Sequence, residues 1–175
     1  EQRRRGETSD IGADHAYAMR ATVVDRTRIA KHFGWSPEQP IVGVYGAAWF
    51  DFPHGETAGN FRDFLDWMEA TLAVAKEHDA VNWLFKGHPL DQWYGGVTLA
   101  DLIPQGNCRH IGLAPSEWNN SGIIDSIDAF VTMFGSVGIE AAAISKPVLV
   151  GGGGWYHTLG FVKWPENRQD YLRLL

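Results

Sequence analysis

Four short apolar runs punctuate this chain, at residues 41–45, 81–85, 129–134 and 147–150, with a further short strand expected near 108–111, and none of the four alternates polar with apolar side chains. A strand with one wet face shows a period of two. Runs without it belong to strands buried on both sides, as in a parallel sheet covered by helices. The stretches between them carry helical spacing. Residues 20–33 place Val23, Ile29, Ala30 and Phe33 among charges, with Gly34 as a C-terminal stop. The clearest helix follows Asn60 as N-cap, with Phe61, Phe64, Leu65, Met68, Leu72 and Ala75 on one face. Shorter helices are expected at 99–103, 121–127 and 136–144, and a last one at 166–174 opened by Pro165. Strand and helix alternate throughout. The expected fold class is therefore α/β, a Rossmann-like parallel sheet with helices on both faces.

A length of 175 residues, 45% of them hydrophobic, suits one domain with one sizeable core. Residues 1–19 lack sustained periodicity and read as an irregular lead-in; residues 20–175 read as a single domain. The chain starts in a charged stretch without Met, as a piece of a longer protein would. The net charge of −6 argues against nucleic acid as a partner, because no basic face is available to neutralise a phosphate backbone. The Arg3-Arg4-Arg5 cluster reads as a solvated terminal segment. A single cysteine, Cys108, excludes an internal disulfide and fits a reducing compartment; inside a short strand it reads as a structural thiol. No apolar run reaches the ~20 residues that span a bilayer, and no signal-peptide pattern is present.

In open parallel sheets, ligands bind beyond the carboxyl ends of the strands. That rule directs attention to residues 46–55, 86–89, 134–140 and 151–157. In the third of these, a strand runs into Gly135-Ser136-Val137-Gly138 and then into a helix carrying Glu140. The first amides of a helix favour an anion, Ser136 can add its hydroxyl, Gly138 permits close approach, and Glu140 can bind a vicinal diol such as a ribose. The same residues also describe a plain capped helix, with Ser136 as N-cap and Glu140 a favourable first-turn charge.

Lys86-Gly87-His88-Pro89 follows a buried strand directly. Imidazole can donate to a phosphate oxygen or act as acid and base near neutral pH, and Pro89 restrains His88 to extended backbone. Lys86 offers a positive charge to a phosphate. An ordinary strand exit with an exposed histidine is the competing reading. Gly151 to Gly154 precede Trp155-Tyr156-His157 and lack the spacing of a dinucleotide fingerprint, so they read as a turn that positions Tyr156. Asp51, His54 and Glu56 are metal-ligand types in a spacing that matches no zinc site, and no metal is expected. Trp49, Phe50, Phe52, Trp93, Tyr94 and Trp118 are expected in loops, as stacking surfaces for sugars or as the footprint of another domain.

Taken together, these segments resemble the C-terminal, donor-binding domain of GT-B glycosyltransferases, in particular the capsule-polysaccharide and Kdo-transferase group. That group carries K-x-H-P after one strand and S-[ST]-x-G-x-E-A after another, then K-P-V and a G-x-x-Y loop. The counterparts here are Lys86 to Pro89, Gly135 to Ala141, Lys146-Pro147-Val148 and Gly153 to Tyr156, in the same order over residues 40–162. The resemblance implies that Lys86, His88, Gly135, Ser136, Val137, Gly138, Glu140 and Tyr156 line the site of an activated sugar. His88 and the Ser136 turn would hold its phosphate, and Glu140 its ribose or cytidine part. His88 is the candidate catalytic residue, with His157 a second acid/base candidate read from the sequence. The group's first serine is Gly135 here, which removes one possible phosphate donor.

The resemblance further implies a CMP-sugar donor, with a UDP-sugar as the alternative, and no other cofactor. Partners would be a missing N-terminal GT-B domain, which supplies the acceptor-side base, and a glycan or glycolipid acceptor. The setting would be cytoplasmic, at the inner face of the cell membrane, in surface polysaccharide synthesis. Two other readings stay open: a UDP-sugar enzyme of the 2-epimerase type, and a non-catalytic module that binds carbohydrate or a protein partner.

Overall fold

In the computed structural model, residues 22–49, 59–89, 91, 96–103, 106 and 108–175 are described. Among them the apolar runs pair side by side. The elements are α1 (Arg26–Phe33), β1 (Ile41–Tyr45), α2 (Phe64–Glu77), β2 (Asn82–Lys86), α3 (Leu99–Leu102), β3 (Ile111–Leu113), α4 (Asn120–Ser126), β4 (Ala129–Thr132), α5 (Val137–Ala142), β5 (Val148–Val150), a single helical turn (His157–Leu159) and α6 (Arg168–Leu174). The five strands are all parallel, in the order β3-β2-β1-β4-β5. The order reverses at β1, so its carboxyl end lies between the exits of β2 and β4.

Alternate side chains of each strand enter different cores. Ile41, Tyr45, Leu84, Phe130, Val148 and Val150 pack with residues of α1, α4 and α5. Val44, Trp83, Phe85, Ile111, Val131 and Leu149 pack with residues of α2, α3 and α6. Both faces of the sheet are therefore dry, which is why its strands show no polar alternation. The Rossmann-like α/β class expected from the sequence is the fold observed.

Several boundaries move from their expected places. The helix expected to follow Asn60 begins at Phe64, because Asp63 is the cap: its carboxylate accepts the Asp66 N–H. Asn60 instead donates to the Pro165 carbonyl at 2.9 Å. The third strand is Ile111–Leu113 rather than residues 108–111, so half-buried Cys108 precedes the ladder. The last helix starts at Arg168, capped by Asn167, with Pro165 outside it. Gly34 does end α1, with a φ of 71° that suits glycine.

β5 ends at Val150, and Gly151 and Gly152 lie beyond it, their amides donating to the carbonyls of Thr132 and Met133. Trp118, expected on a loop surface, is buried at 5% exposure, in edge contact with His32 and Phe33. Phe50, Phe52, Trp93 and Tyr94, the candidate ligands Asp51, His54 and Glu56, and the lead-in 1–19 lie outside the described residues.

Candidate functional site

The carboxyl edge of the sheet collects the exits of all five strands, and two of them carry most of the polar chemistry. At the end of β2, the chain turns through Gly87, His88 and Pro89 to Asp91. The His88 N–H donates to Asp91 Oδ2 at 2.9 Å, and the Asp91 N–H donates back to the His88 carbonyl at 3.0 Å. Proline suits the second position of such a turn, where its fixed φ is already correct. This turn forms one wall of a cavity of about 510 Å³ whose other walls come from α3 and the exit of β3. Its polar lining includes Lys86, His88, Asp91, Thr98, Ser116 and Glu117.

Lys86, expected to offer its charge to a phosphate, stands in the wall of this cavity. It is 7% exposed, and its ammonium makes one long contact, 3.4 Å, to the Pro115 carbonyl. Burial lowers its pKa to about 8, and the nearby Glu117 carboxylate pulls it partly back up. Asp91 is perturbed in the opposite direction. Burial raises its carboxyl to about 6, against the lowering effect of the His88 N–H. Its Oδ1 is buried and has no hydrogen-bond partner. An ammonium and a carboxylate thus line one cavity, and among the described residues no ion pair joins them. Perturbed titratable groups in a cleft are a common mark of a binding or catalytic site.

The second polar exit follows β4. The Gly135 N–H donates to Thr132 Oγ1 at 3.3 Å, and α5 begins after Ser136. The amides of Gly138, Ile139 and Glu140 are already bonded to the carbonyls of Gly135 and Ser136. The helix start therefore offers fewer amides to an anion than its sequence suggests, and Ser136 and Val137 are the residues that would meet one. The Ser136 side chain makes no capping bond to the helix. Glu140 is half-buried one turn further on.

Tyr156 is not placed to touch a ligand. It is fully buried, and its hydroxyl donates to the Gly135 carbonyl at 2.7 Å. A Cβ on Gly138 would lie 2.5 Å from that hydroxyl, so Gly138 is the gap into which Tyr156 fits rather than a door for the ligand. Through that bond Tyr156 holds the 135–138 backbone from behind. Sequence reasoning also passed over Asp91. Its position two residues after the His88-Pro89 pair was visible, but its burial and its bond to His88 were not.

The two exits share one edge without sharing one cavity. β1 lies between them, so two strand spacings, about 10 Å, separate them, and residues 135–140 do not line the cavity beside His88. A second, largely apolar cavity of about 330 Å³ opens toward the strand starts, between Val42, Ala129, Phe161 and Leu175. It faces away from the edge where ligands of such sheets bind. Among the described residues no group of three or more metal-ligating side chains occurs, and no helix is long and apolar enough to cross a membrane.

No protein-family model matches the sequence, and the search of curated proteins returned no match. Solved structures do match in fold. The beta Kdo 2,4 transferase KpsC of Thermosulfurimonas dismutans superposes with a TM-score of 0.62 at 16% identity, over 89% of this chain and 46% of that one. UDP-GlcNAc 2-epimerase from Neisseria meningitidis, bound to UDP-GlcNAc, gives 0.54 at 17% identity, over 85% and 40%. The wall teichoic acid polymerase TagF gives 0.55 at 15% identity, over 85% and 37%. The fold is thus the Rossmann-like one found in GT-B glycosyltransferases, and the chain spans less than half the length of these structures.

Proposed function

We propose that this domain binds a nucleotide sugar along the carboxyl edge of its sheet, as the donor-binding half of a glycosyltransferase. The observation that carries the reading is the arrangement of that edge. A cavity of about 510 Å³ with perturbed polar groups stands on one side of the β1 exit, and the 135–140 turn stands on the other. Their separation suits an elongated ligand with a neutral, hydrogen-bonding end and an anionic middle.

In this reading the nucleoside enters the cavity. With Lys86 opposed by Asp91 and Glu117, the cavity suits a neutral ring better than a phosphate. His88 donates to the phosphate from the cavity side, and the Ser136 hydroxyl with the Ser136-Val137 backbone meets it from the other. Glu140 accepts from the ribose hydroxyls. Gly135, Gly138 and Tyr156 keep the turn in shape. The acceptor-side base and the glycan or glycolipid acceptor belong to the rest of a two-domain protein, working at the inner face of a membrane. A CMP-sugar is the favoured donor, on the residue pattern around His88 and Glu140. A UDP-sugar is the second reading, favoured by the likeness to a 2-epimerase bound to UDP-GlcNAc.

Calorimetry with CMP, UDP and GDP tests the proposal. Saturable binding of CMP that weakens at least tenfold in His88→Ala and Glu140→Ala is expected, since each removes a charged or charge-assisted contact of about 1.5–3 kcal/mol. A clear preference for UDP would move the assignment to the second reading. If the folded full-length parent bound neither cytidine nor uridine nucleotides, the proposal would be wrong.

A further inference from the structure

The carboxyl edge runs one strand past the 135–140 turn, to the exit of β5 at the border of the sheet. The chain leaving that strand is pressed against the turn. Gly154 packs on Phe134, where an added Cβ would come within 2.7 Å of the Phe134 Cβ. Two residues on, the Tyr156 hydroxyl donates to the Gly135 carbonyl at 2.7 Å. Trp155 is fixed between these two anchors, yet it is itself 76% exposed. Its ring meets the Tyr156 ring edge-on, with 5.4 Å between centroids and 85° between planes.

This exposure sets Trp155 apart from the tryptophans of the core. Trp35, Trp67 and Trp83 are buried, and their indole N–H groups donate to the Arg109 carbonyl, the Tyr171 hydroxyl and the His78 carbonyl. Among the described residues, no hydrogen bond holds the Trp155 indole. A flat apolar ring with one free donor, held in place by the backbone on either side, suits a ligand that is itself part apolar and part hydroxylated.

We propose that Trp155 is the stacking platform for the sugar ring of the nucleotide sugar, with the ring's C–H face on the indole and a sugar hydroxyl accepting from the indole N–H. The inference rests on the reading of this edge as a nucleotide-sugar site. Order along the sheet carries it. From β3 to β5 the edge presents the cavity, the β1 exit, the Ser136 turn and then Trp155. A nucleotide sugar has its groups in the same order: nucleoside, phosphate, sugar. With the nucleoside in the cavity and the phosphate at Ser136, the sugar extends toward the next exit, one strand spacing of about 5 Å away. Leu159, 65% exposed on the same segment, separates this role from a docking patch for a protein or a membrane. A docking patch would use Leu159 and Trp155 together, whereas one sugar ring stacks on the indole alone.

The experiment compares each nucleotide with its sugar-bearing form, CMP with CMP-Kdo and UDP with UDP-GlcNAc. Calorimetry is run on the wild type, Trp155→Ala, Trp155→Phe and Leu159→Ala. Trp155→Ala should weaken the nucleotide sugar about five- to tenfold, as for loss of an aromatic contact, and leave the bare nucleotide within about twofold. Trp155→Phe keeps a ring face and should recover most of that loss. Leu159→Ala should leave both ligands unaffected. In NMR spectra the Trp155 indole N–H, assigned by its absence in Trp155→Phe, should shift with the nucleotide sugar and stay in place with the nucleotide. The proposal is overturned if Trp155→Ala weakens both ligands by the same factor or weakens neither. Equal losses in Trp155→Ala and Leu159→Ala overturn it too, and would mark a docking patch instead. If no nucleotide binds the wild type, the reading of the whole edge fails and this subsite with it. If bare nucleotides bind while Trp155 makes no difference, the edge keeps its reading and only the sugar platform is lost.

Discussion

Tyr156 and Gly138 form a matched pair behind the 135–140 turn, and their fit can be measured. Removing the hydroxyl in Tyr156→Phe takes one of two donors from the Gly135 carbonyl, leaving the Gly138 N–H, and should cost about 1 kcal/mol. Gly138→Ala places a methyl 2.5 Å from that hydroxyl and should cost a similar amount. Since the two changes concern one contact, the double variant should lose less than the sum of the singles, by at least 0.5 kcal/mol as is usual for touching residues. Urea unfolding of the four proteins checks this; strict additivity would show that the hydroxyl does not set the space at Gly138. Asp91 carries a stability signature of its own. Its carboxyl is raised from 3.8 to about 6 in the fold. Between those values the native state holds a proton that the unfolded chain has lost, so stability falls as pH rises through the window. Asp91→Asn should remove that fall, worth about 1 kcal/mol after allowing for partial exposure, in unfolding curves at pH 4 and 7.

At the scale of elements, α6 is held to α2 by more than apolar contact. Asp66 accepts two bonds from Arg168 Nη1, each 2.7 Å. The Trp67 indole N–H donates to the Tyr171 hydroxyl, which also bonds Thr71 Oγ1. The hydrogen bond from Arg168 lowers the Asp66 carboxyl, helped by Arg62 and opposed by burial. A depressed carboxyl contributes stability that is present above its unfolded value and lost as pH falls through the folded one. Arg168→Met should therefore cost about 1–3 kcal/mol at pH 7 and show a smaller further loss on acidification than the wild type. Thermal unfolding from pH 7 to pH 3 measures both. The helices themselves were legible in sequence; their starts were less so. Asn60 and Asp63 are both good caps by residue type, and only the structure shows that Asn60 bonds Pro165 while Asp63 caps the first turn.

For the whole molecule, ligand binding and stability should be linked. A nucleotide that binds only the folded form at one hundred times its dissociation constant should stabilise it by about 2.7 kcal/mol. Differential scanning should show the shift with the wild type and, at the same nucleotide concentration, a stabilisation cut to about 1.4 kcal/mol or less with His88→Ala. An unchanged melting temperature in wild type at saturating CMP and UDP would count against the proposed site. The sequence by itself determined the α/β class, because strands buried on both faces must be apolar throughout and short ones cannot hide that pattern. It also marked the sheet edge, because glycine, proline, histidine and serine cluster where strands end. Tertiary structure alone decided what those residues do. Whether Lys86 faces solvent or a cavity wall, and whether Tyr156 meets a ligand or the Gly135 carbonyl, depends on neighbours dozens of residues away in the chain. So does the strand order that sets His88 and Ser136 on opposite sides of β1. Local pattern fixes periodicity and turn chemistry; burial and partnership arise only when distant segments pack, and at this edge they separate the groups that could meet a ligand from those that hold them in place.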